Sequence, residues 1–347
     1  MTTSAGMVLS VADRLHPPEP GAPDAVRYKE WQHFVLFDGG DRTVIVNLSV
    51  DGDLAGSGGG QAKVVLLAHG PGGWAGGVDL YDGGDARLSA RSPALRVGRQ
   101  RVGYRGGRYH VSAALRDRSV AVRAVLTPAA APAMIWHDTP VGSGHVNWLI
   151  VPDLTVEGVA RLPGRRGALD GWRGYHDHNW GRWWWGEDFG WQWGVAREPA
   201  GGPDGPPLTV VYDRTSDRGG AVAKEHTLSV WSGSDLVRVF TRHDLRARMR
   251  GRRGGPPPPR VPGVMGLLAQ GAASGIPAVL EAEAGDGADG LALRFVPDDA
   301  IEVLVPSEMG TGFVRLAEVV GDMDVDGRVA GRDVAFRARA VVEFMGA

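Results

Sequence analysis

The chain has 347 residues, more than one hydrophobic core usually holds, so two domains are expected. Its 38 Lys and Arg nearly balance its 40 Asp and Glu, and no basic tract is long enough to follow a phosphate backbone, which argues against a nucleic-acid partner. Cysteine is absent, which excludes disulfides, thiolate metal sites and cysteine nucleophiles.

The chain begins with a segment, residues 1–25, that is expected to be an irregular tail. No basic region precedes its apolar residues, and no stretch of 18 uncharged apolar residues follows anywhere. We therefore expect a soluble cytoplasmic protein without an integral membrane segment. Transient contact with a membrane stays open, and so does the oligomeric state.

Alternation of apolar and polar residues dominates the rest of the chain. Val44, Val46, Leu48 and Val50 fall on one face of a half-buried strand. Similar segments follow, and the residues between most of them are Gly, Pro, Asn or Asp: 109–115, 119–126, 208–213, 226–231, 236–241 and 334–344. Helical periodicity is weak. The pattern predicts an all-β protein of two antiparallel barrels or sandwiches.

Seven of the twelve tryptophans lie within the 22 residues from Trp172 to Trp193. Between them stands the segment Gly174–Gly181, which contains two histidines, an aspartate and a tyrosine. If this segment is extended, Tyr175, Asp177 and Asn179 point to one face, and His176, His178 and Trp180 point to the other.

Three interpretations of this cluster stay open from the residues alone. It can be a structural polar cluster in which buried Asp and His satisfy backbone groups. It can be a catalytic acid in an aromatic pocket, because a carboxyl group surrounded by apolar rings resists ionisation and can protonate an alkene. His176 and His178 can also be metal ligands, with His137, Asp138 or His145 joining them, but two local ligands do not complete a site, and we expect no metal.

Two other cofactor signals are weak. Asp322, Asp324, Asp326 and Asp333 match most of a calcium-loop pattern, yet the flanking segments have strand patterns and a hairpin turn explains the same residues. Calcium binding there stays open. No nucleotide-binding glycine motif is present, and no cofactor is expected.

The segment Gly174–Gly181, with Asn147 and Trp148 before it and Trp191–Gly194 after it, resembles the hydroxyneurosporene synthase family, also called carotenoid 1,2-hydratases (AttH-like proteins). The resemblance is strong over residues 136–196 and diffuse elsewhere. It implies two tandem lipocalin-like β-barrels, placed here at residues 26–180 and 181–347. The resemblance also implies that the Tyr and Asp of the motif, Tyr175 and Asp177, line the pocket and that Asp177 donates a proton to a double bond.

We expect a cofactor-free enzyme, a hydratase or a cyclase, that acts on a long hydrophobic polyene such as a terpenoid or polyketide. Asp177 is the expected general acid, Tyr175 its hydrogen-bonding neighbour, and His145, His176 or His178 its orienting group. The expected substrate-binding residues are Trp148, Asn179, Trp180, Trp184, Trp191 and Trp193. The alternatives are a pericyclase for a [4+2] cycloaddition, which would depend on orientation and not on proton transfer, and a non-catalytic carrier of an apolar ligand.

Overall fold

The computed structural model describes residues 3–19, 21–54, 59–199, 205–269, 275–310 and 312–346. The chain divides into two compact units, Met1–Trp184 and Trp185–Ala347. Both are built from β-strands, and the expected all-β class is confirmed. Within the described ranges, every helix is too short or too polar to cross a lipid bilayer.

The first unit contains thirteen strands among its described residues. These strands are β1 (Tyr28–Phe37), β2 (Thr43–Asp51), β3 (Gln61–Gly70), β4 (Gly73–Asp82), β5 (Ala86–Leu88), β6 (Ala94–Val97), β7 (Gln100–Arg105), β8 (Arg108–Ala114), β9 (Ala121–Pro128), β10 (Ala133–Val141), β11 (Gly144–Leu162), β12 (Arg165–Ala168) and β13 (Arg173–Arg182). Short 3-10 turns lie at Ala25–Arg27 and Gly83–Asp85.

These strands form one antiparallel sheet in the order β4-β3-β2-β1-β13-β11-β9-β8-β7-β6-β5, with β10 and β12 paired to β11. The two ends of this order, β4 and β5, are consecutive in the chain, and residues from both ends of the sheet share one hydrophobic core. The sheet therefore curls into a barrel around that core. Val44, Val46, Leu48 and Val50 face it and are fully buried, as the alternation predicted.

One detail of that strand differs from the prediction. Thr43, Ile45 and Ser49, on the other face of β2, are also buried. Both faces of the strand are therefore covered along nearly its whole length. Polar residues of small volume can be buried in a sheet where their groups find partners, and the alternation then marks which face holds the apolar core, not which face meets water.

The expected irregular tail is instead an ordered segment that packs on the first unit. Residues Thr3–Ala12 form helix α1, and Leu9 and Leu15 are buried in the barrel core. Asp13, which follows the helix, is fully buried as well. Two leucines and one aspartate are enough to anchor the segment.

The second unit contains ten strands and one short helix among its described residues. These elements are β14 (Gly190–Arg197), β15 (Leu208–Ser216), β16 (Ala223–Ser232), β17 (Asp235–Thr241), β18 (Leu245–Arg250), β19 (Arg260–Val261), α2 (Gly263–Leu268), β20 (Val279–Gly285), β21 (Gly290–Pro306), β22 (Phe313–Val329) and β23 (Arg332–Gly346). The sheet order is β17-β16-β15-β14-β23-β22-β21-β20-β18, antiparallel throughout, and β19 pairs in parallel with β21.

The acidic segment of the sequence lies in the long hairpin of β22 and β23. Asp322, Asp324 and Asp326 occupy alternate positions of β22, and β23 presents Arg337 and Arg339 opposite the first two. Both arginines donate hydrogen bonds to Asp322, at 2.7 and 3.2 Å. The aspartates therefore belong to a strand of a hairpin and form an ion-pair row, whereas the turn expected at these residues lies at Ala330 and Gly331.

Candidate functional site

Strand β13 carries the motif Gly174–Gly181 through the middle of the first sheet, between β1 and β11. Tyr175, Asp177 and Asn179 lie on one face, which we call the Asp177 face. His176, His178 and Trp180 lie on the opposite face, which contains the barrel core and which we call the core face. All six side chains are buried.

On the Asp177 face, the carboxyl group of Asp177 is 2% exposed and accepts a hydrogen bond of 2.8 Å from the amide nitrogen Nδ2 of Asn179. Strand register places Ile150 and His33 directly opposite Asp177, on β11 and β1. Directly opposed residues of neighbouring strands share a face and lie about 5 Å apart at Cβ. Asp177 is thus flanked by one apolar residue and one imidazole.

His33 lies on the Asp177 face, directly opposite Asp177. Its Nδ1 lies 3.3 Å from Nδ2 of Asn47, which can only donate, so Nδ1 accepts and the ring proton resides on Nε2. Burial, together with the charge of His176, lowers the pKa of His33 to about 3. His33 is therefore a neutral imidazole across the physiological pH range.

The three histidines expected to orient Asp177 are elsewhere, and that expectation is corrected. His176 and His178 point into the barrel core because they alternate with Asp177 along one strand. His145 lies opposite Arg182, on the same face as His178, and its side chain is 39% exposed beside Asp138, with an Nε2–Oδ1 distance of 4.0 Å. No rotation of a side chain carries these groups through the sheet.

On the core face, Asp13 from the N-terminal segment is the centre of a buried polar network. Its Oδ2 lies 3.2 Å from Nε2 of His176 and accepts a hydrogen bond of 2.5 Å from the hydroxyl of Tyr109. The amide of Gln32 donates to its Oδ1 at 3.2 Å. Burial alone would raise the pKa of Asp13, but the two histidines beside it, His176 and His178, hold that pKa well below its usual range.

Glu30 of β1 forms the second acidic position of this network. Its Oε1 lies 2.8 Å from Nε2 of His178 and 3.3 Å from Nδ1 of His16, and its Oε2 accepts from the hydroxyl of Tyr28. Burial opposes ionisation of Glu30, but these partners lower its pKa overall. Burial likewise would lower the pKa of His178, yet contact with Asp13 and Glu30 raises it to about 9.

The five tryptophans expected to bind substrate are divided among four places. Trp148 lies opposite Asn179 on the Asp177 face and packs on Trp136 with ring centroids 4.9 Å apart. Trp180 lies on the core face and stacks on His16 at 4.2 Å. Trp184 is half-buried under the guanidinium of Arg27, 5.7 Å from the ring centroid.

Trp191 and Trp193 belong to the second unit, where they surround a buried carboxyl group that the sequence analysis missed. Both indole N–H groups donate to Oε1 of Glu343, which lies opposite Glu318 on the neighbouring strand. Burial raises the pKa of Glu343. The second unit therefore has a buried acidic pair of its own, with two indoles as donors.

Sequence reasoning also missed Asp13, His16, Glu30 and His33 as parts of polar clusters. A usable signal existed for Glu30: β1 reads Tyr28, Glu30, Gln32, Phe34 on its core face, so a charged residue stands at an inward position of an alternating strand. An inward carboxylate needs a partner, and that requirement points to a site. The remaining residues join through contacts between segments far apart in the chain.

Comparisons with known proteins give a fold relationship. A scan of protein-family models gives no match, and a search of curated protein sequences gives none either. Among solved structures, a protein described as AttH from Nitrosomonas europaea aligns over 96% of this chain and 97% of its own, with a TM-score of 0.62 and 14% identity.

Two further solved structures align over nearly their whole length. Kievitone hydratase from Nectria haematococca gives a TM-score of 0.58 at 11% identity, covering 96% of this chain and 93% of its own. CghA with Sch210972 gives 0.57 at 11% identity, covering 97% and 96%. At these identities the likeness shows the fold, and it extends over both units of the chain.

Proposed function

We propose that the protein is an enzyme that acts on carbon–carbon double bonds of a long apolar polyene, a terpenoid or a polyketide, with Asp177 as the proton donor and without a cofactor. The observation that carries the proposal is a buried carboxyl group, Asp177, on the same face as the phenol of Tyr175 and the indole of Trp148. A carboxyl group kept from water is suited to hold a proton and to deliver it to a weakly basic alkene.

The proposed step transfers the proton of Asp177 to one alkene carbon and leaves a carbocation at the other. The Asn179 amide, already 2.8 Å from Oδ1, stabilises the carboxylate that forms. In a hydratase, water adds to the cation and its surplus proton returns to Asp177. In a cyclase, a second double bond of the substrate adds, and the cyclic cation then loses a proton to the same carboxylate. The indole of Trp148 stabilises the cation by cation–π attraction.

The neutral state of His33 fits this chemistry. A protonated imidazole opposite Asp177 would repel the cation and hold the carboxyl group ionised, whereas the neutral ring does neither. The solved neighbours also support an enzyme: one of them is by name a hydratase.

Substitution of Asp177 by Asn tests the proposal. The protein would be incubated with acyclic isoprenoid polyenes and with linear polyene polyketides, and products would be separated by liquid chromatography and identified by mass spectrometry. Loss of a general acid predicts a rate about 100- to 10,000-fold lower in Asp177→Asn. The matched control is Asp138→Asn, since Asp138 also accepts from an asparagine amide, that of Asn147, but is 66% exposed.

The control should keep its rate, and both variants should keep the far-ultraviolet circular dichroism of a β-protein. Equal rates in Asp177→Asn and the unsubstituted protein would contradict proton transfer from this residue.

A pericyclase is a second candidate, and hydrogen-bond donors on the Asp177 face favour it. Nε2–H of the neutral His33 and the amide of Asn179 could polarise one partner of a cycloaddition without transferring a proton. This mechanism predicts that Asp177→Asn keeps most of its activity.

A carrier that holds its ligand in the first barrel is less well supported, because Leu9, Asp13 and Leu15 of the N-terminal segment already fill part of that core.

A further inference from the structure

Three side chains at the end of the core-face network bring nitrogen and oxygen atoms together. They are His16 of the N-terminal segment, Glu30 of β1 and His178 of β13, and their nearest donor atoms all lie within 4.8 Å of one another. Glu30 Oε1 is 2.8 Å from His178 Nε2 and 3.3 Å from His16 Nδ1. Three segments far apart in the chain thus contribute one atom each.

The spacing suits a four-coordinate ion. Metal–ligand distances of 2.0–2.1 Å at tetrahedral angles place ligand atoms about 3.3 Å apart. The His16–Glu30 separation already has this value, and the His178–Glu30 separation would have to open by about half an ångström. The third separation, between His16 and His178, lies within 4.8 Å and would have to reach the same value when an ion binds.

The surroundings of the three residues are those that hold metal ligands in place. The remote nitrogen of His178, Nδ1, lies 2.8 Å from Oδ1 of Asp13, so a carboxylate fixes the ring from behind. The second oxygen of Glu30 accepts from Tyr28, and the rings of His16 and Trp180 are stacked within 7° of parallel. A carboxylate behind a ligating histidine is the usual outer layer of protein metal sites.

We propose that His16, Glu30 and His178 form a binding site for a divalent transition ion of the zinc class, with water at the fourth position. Two imidazoles and one carboxylate are ligands preferred by Zn²⁺ and Co²⁺, whereas Ca²⁺ and Mg²⁺ take oxygen ligands. The ion would replace the proton on Nε2 of His178, which is released to solvent. Glu30 and His178 are fully buried, and His16 is 29% exposed, which gives the ion and its water a path from solvent.

The bound ion would join the N-terminal segment to the barrel. His16 follows helix α1 and Asp13, while Glu30 and His178 lie on neighbouring strands at the centre of the sheet. The site lies on the core face, opposite Asp177, and its occupation is independent of the proposed proton transfer. A structural ion stabilises the folded state by mass action, because the unfolded chain does not hold the three ligands together.

The test is metal binding to the full chain after removal of metal with a chelator. Titration with Zn²⁺ in a calorimeter should give one ion per chain, and Co²⁺ should give the intense visible bands of a four-coordinate complex. His16→Ala should weaken binding at least 100-fold without unfolding the protein, because His16 lies at the edge of the barrel and is partly exposed.

The substitution His16→Cys gives a second readout, in which a new spectroscopic signal is expected and not a loss of binding. The chain has no cysteine, so His16→Cys introduces one thiolate, and Co²⁺ bound to it should show a sulfur-to-metal charge-transfer band in the near ultraviolet. The control is His137→Ala, which removes an exposed histidine beside Asp138, 3.9 Å away, and should leave binding unchanged.

Two results would overturn the proposal. One is unchanged Zn²⁺ affinity in His16→Ala together with the absence of the charge-transfer band in His16→Cys. The other is a titration of the unsubstituted protein that shows no stoichiometric binding of either ion. Neither result bears on the role of Asp177, which is tested by turnover.

Discussion

His33 shows how one buried side chain links the stability of the first unit to pH. The residue is 4% exposed, and its ring is neutral because burial and the nearby charge of His176 lower its pKa to about 3. Asn47 faces it from β2 and Asp177 from β13. In the unfolded chain the same imidazole titrates near pH 6.5.

The sign of the effect follows from this difference. Above pH 6.5, His33 is neutral in both states and contributes no pH dependence. As the pH falls from 6.5 towards 3, the unfolded chain binds a proton that the folded chain excludes, so the free energy of unfolding decreases. At pH 4.5 the loss from this group amounts to about 2–3 kcal/mol.

Replacing His33 by Gln should therefore reduce the slope of the free energy of unfolding against pH, by an amount that corresponds to the uptake of about one proton on unfolding. Both proteins would be unfolded by urea at several pH values between 6.5 and 4.5. The folded fraction of β1 and β2 would be read from the exchange of their amides in a short deuterium pulse, always applied at the same pH. His137→Gln, at a side chain that is 74% exposed, is the control and should follow the unsubstituted protein. Parallel curves for His33→Gln and the unsubstituted chain would show that His33 is not buried as a neutral ring.

Strand β13 is paired on both sides along nearly its whole length, with β1 and with β11. Gly181 near its end illustrates the constraint. A Cβ at this position would lie 2.2 Å from the backbone oxygen of His145 and 3.0 Å from Cα of Val146, both on β11. Strand β11 would have to move away, and the register that sets Ile150 and Trp148 beside Asp177 and Asn179 would be disturbed.

Gly181→Ala should accordingly destabilise the first unit by about 1–3 kcal/mol, the usual range for inserting a carbon atom where none fits. Gly103→Ala in β7 is a matched control, since nothing lies within 4 Å of the Cβ it would add, and its effect should stay within about 0.5 kcal/mol. The urea concentration at which β11 and β13 unfold, measured by pulse labelling of peptides from these strands, should be lower in Gly181→Ala than in Gly103→Ala. Equal midpoints in the two variants would contradict the close approach of β11 to Gly181.

The strands were predictable because their signal is local. Alternation in residues 44–50 and 334–344 identified β2 and β23, and the same rule assigned the two faces of β13. What alternation cannot provide is register. His33 meets Asp177 across 143 intervening positions, and Asp13 and Glu30 meet His176 and His178 through contacts of the same kind. No local pattern connects such residues, and a tail containing prolines gave no sign that Asp13 would be buried.

At the scale of the whole chain, the tryptophan-rich segment spans the boundary between two units. Trp180 and Trp184 belong to the first unit, and Trp191 and Trp193 to the second. Proximity in sequence suggested one aromatic pocket, but within the units these rings have different partners: His16 and Arg27 in the first, Glu343 in the second. Buried carboxyl groups with aromatic neighbours therefore occur in both units.

Asp177 and Glu343 are buried acids in different units, which raises the question of which one supplies a proton. Asp177 lies on a face with a neutral imidazole and an amide donor, whereas Glu343 is already engaged by two indole N–H groups and faces Glu318. Two indole donors favour the charged form of Glu343, yet burial raises its pKa, so protonation alone does not separate the two acids. Asp177 is the proposed donor because the phenol of Tyr175 and the indole of Trp148 share its face. The proposed role of Asp177 is the transfer of a proton to carbon.

The origin of the hydrogen atoms in the product tests that claim most directly. Turnover of a polyene substrate by the unsubstituted protein in heavy water, followed by mass spectrometry and carbon-13 NMR of the product, shows whether a proton from the carboxyl group reaches carbon. Proton transfer from Asp177 predicts one deuterium bound to carbon per product molecule, whether water or an internal double bond captures the cation. A product whose carbon skeleton is rearranged and contains no deuterium would contradict the account and indicate a cycloaddition.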